Sequence, residues 1–113
     1  MSQNPGTGTV EVIPIACDFS AMDTTQRERH ESVWQQIQGA LQGIEELSHG
    51  YAMKFQMETS LFLLLAEFIT LERLCCPFIN FALEIEPADG PLWLKLTGQD
   101  GVKEFLQAEL ELA

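Results

Sequence analysis

The sequence predicts an α+β domain, a two-layer α/β sandwich with element order β-α-β-α-β-β-α. Three observations carry that expectation. Residues 51–58, 79–86 and 92–96 alternate apolar and polar side chains, as strands with one buried face do. Val33, Trp34, Ile37, Ala40, Leu41, Ile44 and Leu47 instead recur at helical spacing. Pro87-Ala88-Asp89-Gly90-Pro91 is turn chemistry between two of the alternating runs, which makes them a hairpin. Sheets with one polar face, and helices to cover the other, assemble in two layers.

Taken in order, residues 9–19 are rich in Val and Ile and read as the first strand, with Pro14 confining it to a sheet edge or a bulge. Asp23-Thr24-Thr25-Gln26 has the form of a capping box, so a helix starts there. Its apolar stripe continues to Leu47, and Gly50 supplies a C-terminal stop. Arg27, Glu28, Glu31, Gln35, Gln38 and Gln42 mark its wet face. Thr59 or Ser60 caps a second helix that runs to Pro77; residues 61–66 are apolar all round, which suits a central core helix or a subunit interface. After the hairpin, Asp100-Gly101 opens a last helix with Val102, Phe105, Leu106 and Leu110 inward. Lys54, Gln56, Glu84, Glu86, Lys95 and Trp93 are assigned to the polar sheet face.

At 113 residues the chain has the size of one domain, residues 9–113, behind a lead-in of residues 1–8 expected to be flexible. Seventeen acidic against six basic residues give a net charge of −11. That balance repels phosphate backbones and anionic lipid, so no nucleic-acid or membrane partner is expected. The longest apolar run is far below the roughly 20 residues a bilayer needs. The first residues have neither a basic start nor an apolar core, so no signal peptide is expected. Three cysteines, two adjacent, do not make a secreted disulfide framework, and a cytoplasmic location is the default.

The chemically distinctive segment is Glu72-Arg73-Leu74-Cys75-Cys76-Pro77-Phe78. Pro77 disfavours helical geometry at the residue before it, which puts Cys75 in the last helical turn and Cys76 in extended chain. Glu72 and Arg73 lie one turn back, within reach of the two sulfurs. Buried packing at a helix–strand junction explains the thiols as small hydrophobes. Three functional readings stand beside it. Thiolates select Hg(II), Cu(I), As(III) or Zn(II) over hard ions, with Cys75, Cys76 and Cys17 as ligands and His30 or His49 as completing groups; zinc has no C-x-x-C pair and no second paired half to support it. Alternatively Cys75 and Cys76 form a redox pair, with each other or with Cys17. A nucleophilic cysteine is the weakest, because a helix C-terminus disfavours the thiolate. If Cys17 tops the first strand while the second helix descends, Cys17 lies at the opposite end of the sandwich from the pair. His30 reads as an exposed-helix residue and His49 as a helix-end residue.

Glu72-Arg73-x-Cys75-Cys76-Pro77-Phe78, with Phe81 and the stretch Gly90-Pro91-Leu92-Trp93-Leu94-x-Leu96-Thr97-Gly98-x-x-Gly101-Val102, resembles a family of small uncharacterised bacterial proteins with an E-R-x-C-C-P-F signature. Some of these are associated with regulators of the mercury-resistance type. The resemblance covers about the last two-thirds of the chain, and implies that Glu72, Arg73, Cys75 and Cys76 act as a unit.

These readings converge on a cytoplasmic accessory domain with a cysteine site for a soft metal or metalloid or for redox sensing. It is expected to be no enzyme and has no assigned cofactor. Glu72 and Arg73 would support the thiols, with Arg73 easing thiolate formation. The alternative is a structural or partner-binding domain without ligand, a homodimer through the second helix or the Trp93 face.

Overall fold

The computed structural model describes residues 14–110. The lead-in, residues 1–8, and the start of the expected first strand lie outside the described residues. The described part of that segment, residues 14–18, lies outside any strand, bends at Ile15, and leads into a single 3-10 turn, Phe19–Ala21.

Helix α1 spans Thr24–Ala40 and opens on the expected capping box. The Gln26 backbone N–H donates to Asp23 Oδ1 at 2.8 Å, and the Asp23 N–H donates to Gln26 Oε1 at 2.9 Å. The helix then stops earlier than its apolar stripe suggests. Strand β1, Gly43–Leu47, occupies the residues expected to form its last turns, and a two-residue turn leads into β2, Gly50–Phe55. Gly39 and Gly43 each weaken a helix by about 1 kcal/mol relative to Ala. Pairing against β2 satisfies the same backbone groups in a sheet, with Ile44 opposite Met53. Gly50 is therefore a strand residue rather than a helix stop. A Cβ there would collide with the Leu96 carbonyl.

Helix α2 covers Thr59–Cys75. Its N-cap is Glu58, without a side-chain cap bond, not Thr59 or Ser60. Leu61, Leu65, Phe68, Leu71 and Cys75 are buried, Phe62, Leu64 and Ile69 pack partly on the core, and Leu63 is 61 % exposed. Strands β3, Asn80–Ile85, and β4, Leu92–Thr97, form the expected hairpin, and α3, Val102–Glu109, follows. Gly101 precedes α3 at φ 99°, a left-handed conformation that glycine adopts without a Cβ penalty.

The fold is α+β, three helices on a four-stranded antiparallel sheet ordered β1-β2-β4-β3 among the described residues. The register puts Tyr51, Met53 and Phe55 opposite Leu96, Leu94 and Leu92, and those three opposite Phe81, Leu83 and Ile85. That face, apart from an exposed Ile85, and the inner sides of the helices form one core, with Leu65, Phe55, Leu92 and Leu94 wholly buried. The other face carries Lys54, Glu84 and a half-buried Trp93 and Lys95, and Lys95 pairs with Glu84 at 3.1 Å. None of the described helices is long and apolar enough to cross a membrane.

Candidate functional site

The C-terminal end of α2 is where the chemistry collects. Cys75 is the last helical residue and is fully buried; Cys76 is the C-cap, with φ −125° and ψ 69°, and its N–H still donates to the Glu72 carbonyl at 2.8 Å. The break that Pro77 imposes thus falls between the two cysteines. Uninterrupted helix would splay adjacent side chains by about 100°. Here the two sulfurs lie 3.6 Å apart.

Cys17 joins them. It is bonded to Cys76 in a disulfide with Cα atoms 4.7 Å apart, and the three sulfurs all lie within 4.8 Å of one another. The expectation that Cys17 tops a strand at the far end of the sandwich is overturned. Residues 14–18 are not in a strand but run past the end of α2, where the Asp18 N–H donates to the Cys75 carbonyl at 2.8 Å. That carbonyl is one of those a helix C-terminus leaves without an intrahelical donor.

Glu72, one turn back, supports the cluster from the side. Its Oε1 lies 3.4 Å from Cys75 Sγ, placed to accept the thiol proton, and 2.8 Å from His30 Nε2. His30 is not an exposed-helix residue. Its side chain is 14 % exposed, stacked on Phe68 with centroids 5.6 Å apart and edge-on to Phe19 at 6.1 Å. A signal for this was present: His30 lies one turn before Val33, Trp34 and Ile37 and extends their stripe. Next to it, Arg29 donates from Nε and Nη2 to the two carboxylate oxygens of Glu67, at 2.6 and 2.7 Å, fixing α1 against α2 beside the site. The pairing raises the Arg29 pKa and lowers that of Glu67.

Electrostatics at Cys75 oppose ionisation. Burial, then the charge of Glu72 and its hydrogen bond, push the thiol up to about 12. Arg73, expected to ease thiolate formation, is exposed, and the charges acting on Cys75 are those of Glu72 and Asp18. Cys75 is therefore a protonated thiol at neutral pH and unsuited to attack as a nucleophile. His49 lies in the β1–β2 turn, its carbonyl accepting from the Gly98 N–H, and takes no part in either cluster of potential ligands at this end of α2.

A pocket of about 180 Å3 opens beside the disulfide. Cys17 and Cys76 form part of its wall together with Phe19, Trp34, His30 and Glu72. The sulfurs are thus reachable from an apolar cleft carrying one carboxylate and one imidazole. Two chemistries follow from this arrangement. With Cys17–Cys76 bonded, one buried thiol remains beside a carboxylate and a histidine. With that bond reduced, three thiols face a common centre. Comparison with known proteins adds no relative to this picture: no family model, curated protein or solved structure shows significant similarity to the chain.

Proposed function

We propose that this protein is a cytoplasmic accessory domain whose Cys17, Cys75 and Cys76 form a redox-gated site for a soft metal or metalloid ion. The observation that carries the reading is the convergence of three sulfurs within 4.8 Å from two distant parts of the chain. Ion–sulfur bonds of about 2.3 Å place sulfurs on a shared ion roughly 3.4–4.6 Å apart. Only the bonded pair has to open. A reducing dithiol supplies two electrons and two protons to the Cys17 and Cys76 sulfurs and leaves as its own disulfide. In the cytoplasm such bonds are transient and redox-responsive, which suits a gate.

Trivalent arsenic fits the three converging sulfurs best among the soft candidates. Each thiol displaces one hydroxide of arsenous acid, the thiol proton leaving with it as water, so three As–S bonds form without a free thiolate. Mercury(II) displaces thiol protons as readily but favours a linear pair of sulfurs, and burial and Glu72 resist only a free thiolate at Cys75. The same resistance speaks against a cysteine enzyme.

Competition titration against a small dithiol tests the proposal. The reduced protein should retain As(III) against an equimolar dithiol, and the oxidised protein and the Cys17→Ser variant should not. Retention no better than that of a monothiol would refute a shared site.

A second reading, self-association, rests on Leu63, 61 % exposed on α2 and flanked by the half-buried Phe62 and Leu64. Sedimentation at micromolar concentration would show twice the 12.7 kDa chain mass. Leu63→Glu should return that species to monomer. A monomeric wild type removes this reading.

A further inference from the structure

The oxidised site has a second set of ligands that the soft-ion reading does not use. His30, Glu72 and Cys75 offer one nitrogen, one oxygen and one sulfur, all within 4.8 Å of one another. They come from facing positions on α1 and α2, and the Arg29–Glu67 pair holds those two helices together close by. The imidazole and carboxylate are mostly shielded, with side chains 14 % and 21 % exposed, and the sulfur is fully buried.

We propose that, with the Cys17–Cys76 bond closed, His30, Glu72 and Cys75 bind a borderline divalent cation of the zinc class through Nε2, Oε1 and Sγ. Mixed nitrogen, oxygen and sulfur donors in a tetrahedral set are what such an ion takes, whereas softer ions prefer sulfur alone. Zinc bonds of about 2.0–2.3 Å put tetrahedral ligands roughly 3.4–3.6 Å apart. The Cys75 Sγ–Glu72 Oε1 separation is already 3.4 Å. His30 Nε2 and Glu72 Oε1, at 2.8 Å, would have to part by about half an ångström as the ion replaces their shared hydrogen bond. Three protein ligands leave a fourth position, and the pocket lined by His30 and Glu72 gives it access to water or a small anion. Binding releases the thiol proton of Cys75, so the added charge of the site falls from two to one.

Because Cys75 belongs to both sets, the two sites exclude each other. Oxidation of Cys17 and Cys76 would not empty the centre but change the class of ion it selects. The inference stands apart from the soft-ion proposal, since its test uses oxidised protein, in which three thiolates are never available.

Cobalt(II) is the probe. Added to the oxidised full-length chain, it should give a thiolate-to-cobalt charge-transfer band with tetrahedral visible bands, at one cobalt per chain, and zinc should displace it. The proton NMR spectrum of the cobalt form should contain one exchangeable, hyperfine-shifted imidazole N–H, that of His30. Cys75→Ala should abolish the charge-transfer band; Glu72→Gln and His30→Gln should each weaken cobalt binding at least tenfold. A wild-type spectrum without the thiolate band, or without the shifted imidazole proton, overturns the assignment even if a variant fails to fold. So does a band that persists unweakened in both Glu72→Gln and His30→Gln.

Discussion

The backbone N–H of Asp18 donates to the carbonyl of Cys75 at 2.8 Å, and this bond lays the chain before α1 across the end of α2. Cys17 is thereby presented to Cys76, although 59 residues separate them in sequence. The disulfide and the capping of α2 are consequences of one docking event.

Closing so long a loop in the unfolded chain should matter for stability. The chain-entropy relation gives about 4 kcal/mol for a loop of this size, with measured native bonds typically at 2–4. Denaturant unfolding of the wild type should therefore lose roughly 2–4 kcal/mol when a reductant is added. Cys17→Ser should start at the lower value and not respond to reductant. Equal stability of oxidised and reduced wild type would mean that the segment is held by other contacts.

Cys75 sets a pH dependence of definite sign. Its thiol is raised from 9.0 to about 12, so in the folded protein it holds its proton while an unfolded chain releases it. Above pH 9 the unfolded state binds fewer protons, and stability falls with rising pH. The contribution is whole below pH 9 and is lost progressively up to about pH 12. Glu72→Gln, which removes a negative charge 3.4 Å from the sulfur, should lower the thiol's pKa and flatten that decline. Melting curves of both proteins between pH 8 and about 11 check this; parallel curves would contradict the assigned coupling.

The sheet register makes opposite demands on its two faces. Leu94 is wholly buried, and Leu94→Asp should unfold the domain by burying an unpaired carboxylate. Glu84 is exposed and pairs only with Lys95 among the described contacts, so Glu84→Gln should change stability by no more than about 0.5 kcal/mol. Thermal melts separate the two, and similar melting temperatures would place the register one residue out.

Two glycines of the first hairpin should behave differently. Gly50→Ala forces a Cβ into the Leu96 carbonyl of β4 and should cost about 1–3 kcal/mol. Gly43→Ala meets nothing within 4 Å and should be neutral or slightly stabilising. Urea unfolding of the pair tests whether β2 and β4 approach this closely.

Much of this was legible from local pattern. The capping box at Asp23, the alternation from Phe81 to Glu84 and the Pro77 break each depend on near neighbours in sequence, and each takes its expected form; Ile85, expected on the buried face, is exposed. The missed features were decided at long range. Ile44 fits a helical stripe as well as a strand, and only its pairing with Met53 selects the strand. The meeting of Cys17 with Cys76 depends on where residues 14–18 lie against α2, which no local periodicity encodes. His30 was legible in principle from its spacing to Val33 and Trp34. Its partner Glu72, 42 residues away, was not. Arg73 is expected at the site from its sequence neighbourhood and from the resemblance, but its helix position leaves it exposed.

The most direct test of the central proposal is the number of sulfur atoms around a bound ion. X-ray absorption of the reduced protein loaded with one equivalent of As(III) should show three sulfur neighbours at about 2.3 Å and no oxygen shell. Cys17→Ser should show two sulfurs and one oxygen. An oxygen neighbour in the wild type, with Cys17 and Cys76 still able to re-form their bond in the arsenic-loaded protein, would contradict a shared three-thiol site.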